Sequence, residues 1–217
     1  MRRNESPPVT LVCFAVRQES KPFSCRADGL KSIRILLTGM GRRNAESALR
    51  AALSCEPPAQ VLSCGFAGGL RPGLPRGRVL FATDANPALE ASLIAAGAQP
   101  GRFHCAERVL SLAHEKRSLW QSTGADAVEM ESDFIRRICR ERSVLSATLR
   151  VVLDTAEEDL PLDFSQMMTP SMRLDAVKLG LALIRSPRKI AGLLRLQDQA
   201  RSAAESLAQV LQRLLGG

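Results

Sequence analysis

The stretch Ala127-Val128-Glu129-Met130-Glu131-Ser132, followed by Arg150-Val151-Val152-Leu153-Asp154, decides the fold class of this chain. The first segment is typical of a short buried strand that ends in two carboxylates around a methionine and then turns into a helix. The second is an apolar strand with an arginine at one end and an aspartate at the other. Charged side chains at the carboxyl ends of buried strands form the site of an open α/β sheet. Three acids and one arginine therefore predict acid–base chemistry on a small polar substrate.

Outward from these segments, apolar runs alternate with helical patterns along most of the chain. Strands are predicted near 9–16, 32–38, 60–64, 78–82, 102–105, 125–128 and 146–153, and helices near 42–54, 87–97, 111–123 and 130–142. This alternation predicts an α/β fold with a central mixed sheet flanked by helices. After Asp163 the pattern is helical, with a break near Ser186-Pro187. We therefore expect a single domain over residues 1–217, with a C-terminal helical extension over about 165–217.

Composition excludes several classes of protein. No apolar run approaches the length of a membrane span, and no apolar segment follows the first arginines, so we expect neither a transmembrane helix nor a secretory signal. The six cysteines are scattered without a C-x-x-C pair, which favours a reduced cytoplasmic protein with no disulfide framework and no metal site. The net charge is +8, but the chain has no Tyr and one Trp, so base-stacking platforms for nucleic acid are scarce.

Gly65-Phe66-Ala67-Gly68-Gly69 is a glycine-rich stretch at the end of a predicted strand. Glycines let the backbone approach a ligand closely, although an ordinary tight turn has the same composition. The spacing does not match the phosphate-binding patterns of nucleotide cofactors. We expect no cofactor.

Each candidate acid has a functional and a structural interpretation. Glu129 and Glu131 would share one face of a strand, whereas Glu131 alone could cap the following helix. Asp154 follows an apolar run, so desolvation would raise its pKa and suit a general acid; the alternative is an aspartate that accepts backbone N–H bonds. Glu19 is a lone acid after the first strand, and its alternative is an ordinary surface position.

Together these segments resemble the nucleoside phosphorylase and nucleosidase superfamily, in the branch of 5'-methylthioadenosine/S-adenosylhomocysteine nucleosidase. The resemblance runs from about Val9 to Phe164. Its motifs, in order, are Glu19, Thr38-Gly39-Met40-Gly41, Gly65-Phe66-Ala67-Gly68-Gly69-Leu70, Val128-Glu129-Met130-Glu131-Ser132 and Arg150 to Asp154. The arginine- and alanine-rich tail around Leu193 to Leu196 resembles the hopanoid-associated phosphorylase subgroup, which is thought to remove adenine from adenosylhopane.

The resemblance implies roles for these residues. Asp154 would protonate N7 of the purine, Glu131 would hold the ribose hydroxyls, and Met130 would pack on the sugar. Glu19 with Arg150 would position the attacking water, while Val109 and Leu110 would contact the base through their backbone. Glu129 and the backbone of Phe66, Ala67 and Gly68 complete the expected substrate-binding set. The family also implies a homo-oligomer, such as a dimer.

Departures from the family pattern bear on the nucleophile. The positions that hold phosphate in the family's phosphorylases are Ser63 and Phe66 here, and no G-D-P-x-R loop follows the first strand. A dianion without fixed donors binds poorly, so we expect hydrolysis of a purine nucleoside, with phosphorolysis as the alternative. The segment from Thr83 to Glu107 is short, which favours a large or exposed 5' group. A nucleoside-binding protein with a relic site is the alternative from another class.

The C-terminal region carries an apolar stripe at helical spacing, formed by Leu193, Leu196, Ala200, Ala203, Leu207, Val210 and Leu214. Such a stripe ordinarily packs on a sheet while the charged residues face water. The alternative is an interfacial helix that lies on anionic lipid and brings a lipid-bearing nucleoside to the site.

Overall fold

One eight-stranded mixed sheet organises the protein, in a computed structural model that describes residues 8–84, 86–169 and 188–216. The strands are β1 (Thr10–Phe14), β2 (Ile33–Leu37), β3 (Gln60–Gly69), β4 (Val79–Thr83), β5 (Gln99–Pro100), β6 (Phe103–Cys105), β7 (Ala127–Glu129) and β8 (Leu145–Asp154). Their order is β2-β1-β3-β8-β4-β5, and β7 joins the end of β3 and carries β6. β1, β2, β3 and β8 run parallel, whereas β4 is antiparallel to β8 and β7 to β3.

Helices cover both faces of the sheet. Within the described residues they are α1 (Arg17–Arg26), α2 (Arg42–Cys55), α3 (Pro87–Ala95), α4 (Ala113–Thr123), α5 (Ser132–Glu141) and α6 (Arg188–Leu215). Residues of α1, α3 and α6 pack into one apolar cluster with Phe14, Leu62 and Val151 of the sheet. Residues of α2 and α5 pack into a second cluster with Leu11 and Val61. This is the predicted α/β architecture of a central mixed sheet between helices.

The differences from the sequence prediction lie at element ends and in two missed elements. Helix α1 was not predicted, because it contains Pro22 and several polar residues and has too few buried apolar positions to give a helical pattern. The two-residue β5 was also missed. The prediction ended β3 at Cys64, but the strand continues through the glycine-rich stretch to Gly69. Arg150, which begins the apolar segment quoted above, lies in the middle of β8, in agreement with the predicted strand 146–153.

The C-terminal stripe has two halves with different surroundings. Ala203, Leu207 and Val210 are buried in the core cluster against the sheet, so packing on the sheet is confirmed for this half. In the other half, Leu193, Leu196 and Ala200 are only partly buried. Ile190 and Leu194, which lie outside the stripe, are exposed near the start of α6. The predicted break at Ser186-Pro187 lies outside the described residues. No helix within those residues is long and apolar enough to cross a membrane.

Candidate active site

The pairing of β3 with β8 sets the positions of the two key residues of β8. Arg150 lies beside Gly65, and Asp154 lies beside Gly68 after a register shift between Ala67 and Gly68. The carboxyl ends of the parallel strands β1, β3 and β8 meet at this edge of the sheet. The loop after β2 and the turn after β7 reach the same edge, which is where an open α/β sheet forms its site.

Arg150 forms the centre of a buried ionic cluster. Its guanidinium donates to Glu129 at 2.7 Å and to the hydroxyl of Ser63 at 3.2 Å, and it lies 3.6 Å from Glu131. The side chain is 2% exposed. Burial by itself would lower the pKa of Arg150, but Glu129, Glu131 and Glu19 raise it above its ordinary value. The structure thus brings Arg150 together with Glu19, Glu129 and Glu131, whereas Asp154 is paired with Lys116.

Glu129 has the helix-capping role that was considered for Glu131. Its carboxylate accepts hydrogen bonds from the backbone N–H of Glu131 and from both the N–H and the hydroxyl of Ser132. These donors lie at the start of α5. Burial alone would raise the pKa of Glu129, but Arg150 and the Ser132 hydrogen bonds hold it below its ordinary value. Glu129 is therefore an ionised structural anchor for Arg150 and α5.

Glu131 makes no side-chain cap bond at α5, so the capping interpretation is wrong for it. Its Oε1 instead accepts the N–H of Gly41, 2.9 Å away, at the start of α2. Burial raises the pKa of Glu131 to about 7, with Glu129 adding to the rise and Arg150 opposing it. The two glutamates that flank Met130 thus differ in charge state, and Glu131 is the one able to exchange a proton near neutral pH.

Glu19 is buried, so the surface interpretation is wrong for it. One carboxylate oxygen accepts the N–H groups of Ala15 and Val16 at the start of α1, and the other accepts the N–H of Phe66 at 2.8 Å. Burial raises the pKa of Glu19, although these hydrogen bonds and Arg150 oppose the rise. The carboxylate thereby joins the end of β1 to the glycine-rich part of β3.

The absence of a side chain at Gly65 makes room for the carboxylate of Glu19, whereas Gly68 packs closely against Val128. A Cβ on Gly65 would lie 2.7 Å from Oε1 of Glu19, closer than nonbonded atoms approach. A Cβ on Gly68 would lie 3.5 Å from Oδ2 of Asp154 and 3.2 Å from a methyl of Val128. The glycine-rich stretch is therefore a surface on which acids rest against bare backbone, rather than a tight turn.

Asp154 is 6% exposed at the end of β8, and its partner is Lys116 of α4, which is fully buried. Burial raises the pKa of Asp154, and the ion pair with Lys116 opposes that rise. Sequence reasoning missed Lys116, because it lies in the polar run His114-Glu115-Lys116-Arg117, which predicts a solvated helix face. No local signal distinguishes it from Arg117, which is exposed.

The remaining predicted site residues lie around these acids. Met130 is buried between the two glutamates, and Phe66 is half-buried. The methyl group of Ala67 packs in a small apolar cluster, so this residue can offer a ligand only its backbone.

In the loop before α4, the carbonyl of Val109 accepts a hydrogen bond from the hydroxyl of Ser165 at 3.3 Å. The N–H and C=O of Leu110 have no hydrogen-bond partner within the described part of the chain.

Comparison with known proteins gives a family and a set of similar folds. The model of the phosphorylase superfamily matches residues 13–91 and 86–185. The fold is similar to Helicobacter pylori futalosine hydrolase, with a TM-score of 0.72 at 15% identity over 96% of this chain and 97% of that chain.

It is also similar to the 5'-methylthioadenosine/S-adenosylhomocysteine nucleosidase of H. pylori, with a TM-score of 0.72 at 15% identity over 97% of this chain and 99% of that chain. The nucleosidase of Neisseria meningitidis gives 0.68 at 17% identity over 94% and 99%. No curated protein matches the sequence.

Replacing Glu131 with Gln should change how stability depends on pH. Between about pH 4.5 and pH 7 the folded protein retains a proton on Glu131 that the unfolded chain has released. Raising the pH through this window therefore lowers the free energy of unfolding of the wild type. Gln has no proton to lose and can still accept the Gly41 N–H.

Urea unfolding at pH 5 and at pH 8 tests this expectation. Relative to the wild type, Glu131→Gln should be more stable at pH 8 than at pH 5. Glu107→Gln, at an exposed position, is the matched control and should show no such change. An equal difference at both pH values for Glu131→Gln would contradict the assignment.

Proposed function

The chain belongs to the phosphorylase superfamily, and from that premise we propose that it is an enzyme that hydrolyses the N-glycosidic bond of an adenine nucleoside. The observation that carries the proposal is the buried cluster in which Glu19, Glu129 and Glu131 surround Arg150. Cleavage of a glycosidic bond passes through a sugar with cationic, oxocarbenium-like character. Preorganised carboxylates stabilise that charge as it develops.

The second requirement is a proton for the departing base. Asp154 lies at the end of β8, and burial raises its pKa, so that the carboxyl can hold a proton at a higher pH than an exposed aspartate. We assign it the protonation of N7. Leu110 offers a backbone donor and acceptor, free within the described residues, to the edge of the adenine. Met130, between the two glutamates, would pack on the sugar.

Glu131 and Glu19 take different parts in this proposal. With a pKa near 7 and an anchor on Gly41, Glu131 is suited to hydrogen-bonding the ribose hydroxyls. Glu19 and Arg150 would orient the attacking water. Glu19 has a raised pKa, which gives it the basicity to accept a proton from that water.

Charge favours water over phosphate as the nucleophile. When ionised, three carboxylates around one guanidinium leave the cluster with a net negative charge, which repels a phosphate dianion. Of the two positions that would hold phosphate, Ser63 offers one hydroxyl donor and Phe66 offers no side-chain donor. Phosphorolysis is therefore the less favoured alternative.

The direct test is the release of free adenine from 5'-substituted adenosines, with and without phosphate. We expect equal rates in both conditions, with a free reducing sugar as the product. Adenine release that requires phosphate and yields a sugar 1-phosphate would support the phosphorylase alternative. Nucleoside binding without any adenine release would support the relic binding protein.

Asp154→Asn should keep the fold and lose turnover by about 10²–10⁴-fold, the usual contribution of a positioned proton donor. Asn retains the shape of the side chain but cannot donate the acidic proton. Turnover is measured as adenine release under substrate saturation. Asp159→Asn, an exposed acid in the same acidic loop, is the control and should retain its activity. If Asp154→Asn had the turnover of the wild type, Asp154 would not be the residue that protonates the base.

A more specific proposal concerns the 5' group of the substrate and the surface to which the protein binds. Position 192 near the start of α6 lies against Pro161, since a Cβ on Gly192 would be 2.9 Å from that ring. The same loop holds Val109 through Ser165. Ile190 and Leu194, with the exposed Lys189 and Arg195, thus lie on a helix end connected to the site loop.

We propose that this helix end contacts anionic lipid and that the substrate carries an apolar 5' group, as adenosylhopane does. The homodimer that the resemblance implies and the cytoplasmic location that the scattered cysteines favour belong to the same proposal.

Co-sedimentation with phosphatidylserine vesicles tests the lipid contact. Binding should require anionic lipid and weaken as salt rises, because the basic residues contribute through screened charge. The double variant Ile190→Ser, Leu194→Ser should lose binding, whereas Ile94→Ser, at an exposed position on α3, should not. No binding of the wild type at low salt would remove the lipid contact and leave the nucleosidase proposal intact.

A further inference from the structure

Lys116 is the one lysine within the described residues that is completely buried. Its ammonium group donates to Oδ2 of Asp154 and to the backbone carbonyls of Thr155 and Glu158, both at 2.8 Å. An ammonium has three protons to donate, and all three have acceptors here. A buried charge is tolerated when it is paired and fully hydrogen-bonded. The three hydrogen bonds therefore fix the position and orientation of the Lys116 ammonium group.

This arrangement treats the two oxygens of Asp154 differently. Oδ2 is held by Lys116, while Oδ1 accepts no hydrogen bond within the described residues. A carboxyl proton settles on the oxygen that does not face an ammonium group. The proton of Asp154 is therefore placed on Oδ1, the oxygen that accepts no hydrogen bond from the described residues.

We propose that Lys116 is a positioning residue that locks Oδ2 of Asp154, directs the acidic proton to Oδ1, and sets the pH range in which that proton is held. The inference rests on the proposed function, since it assigns Asp154 as the acid. Lys116 itself touches no reacting atom and acts through Asp154.

Three charged groups face Asp154 from the elements around it. Lys116 comes from α4, Glu158 from the loop after β8, and Arg76 from the loop before β4. Arg76 is bound to the carboxylate of Glu158 at 2.5 Å and 2.6 Å, so these two largely offset each other. The cation that acts directly on Asp154 is Lys116, and its removal should raise the pKa of Asp154.

The test is the pH profile of Lys116→Met, whose side chain has similar length and no charge. Activity needs protonated Asp154, so the profile falls as the pH rises through the pKa of that group. In Lys116→Met this basic limb should move upward by about one pH unit or more. kcat should fall roughly 10- to 100-fold with little change in KM, because the interaction acts in the transition state. Arg117→Met, exposed on the same helix, should change neither quantity.

A double variant separates the failure of this inference from the failure of the proposed function. In an Asp154→Asn background, Lys116→Met should cause little further loss, because its effect passes through Asp154. Suppose that Asp154→Asn is inactive, but that Lys116→Met has the same basic limb of the pH profile and the same kcat as the wild type. This result would overturn only the proposed role of Lys116. If Asp154→Asn is fully active, the acid assignment itself fails.

A measurement on the wild-type protein covers the case in which Lys116→Met does not fold. With ¹⁵N-labelled lysine, the buried Nζ of Lys116 exchanges protons slowly and should give a separate signal among the five lysines. The chemical shift of this Nζ should change with pH, and the midpoint of the change should coincide with that of the basic limb in the pH profile of kcat. A shift that stays constant through that pH range would overturn the proposal.

Discussion

The buried guanidinium of Arg150 is the interaction on which the rest of the site depends. Burying a charge is costly unless it is paired and hydrogen-bonded, and Arg150 meets this requirement because β7, the turn after β7 and β3 each bring a partner to it. In turn, the arginine makes it possible for three carboxylates to lie together away from water. Removing one partner from such a cluster leaves an uncompensated charge. The same ion pairs that hold this edge of the sheet together therefore also keep three carboxylates close to one another.

Backbone geometry provides the space for this cluster. The register of β3 with β8 places Arg150 beside Gly65 and Asp154 beside Gly68, and the shift after Ala67 separates the two positions. At Gly65 the carboxylate of Glu19 rests where a Cβ would otherwise lie. Gly65 of this strand thus lies against Glu19, and Gly68 of the same strand lies beside Asp154. Arg150 and Asp154 face their respective glycines only because β8 pairs with β3 in this register.

The site contains two electrostatic regions that do different work. Around Arg150, carboxylates outnumber the cation, and burial raises the pKa of Glu131 to about 7 while Glu129 stays ionised. Around Asp154, a single acid is matched by Lys116. When two carboxyl groups of one site have different surroundings, their pKa values differ, and one can act as an acid while the other acts as a base. The first region suits a developing positive charge, and the second controls one proton.

The sequence by itself determined the alternation of strands and helices, the candidate acids and the arginine. Hydrophobic period and the position of charged residues after apolar runs are local properties. Tertiary structure alone decided which glutamate caps α5, that Glu19 is buried in a missed helix, and that Lys116 faces Asp154. These outcomes depend on partners far apart in the chain: Glu131 bonds Gly41, 90 residues away, and Lys116 bonds Asp154, 38 residues away. A short-range pattern cannot distinguish a solvated lysine from a buried one, because burial is decided by what the fold brings against it.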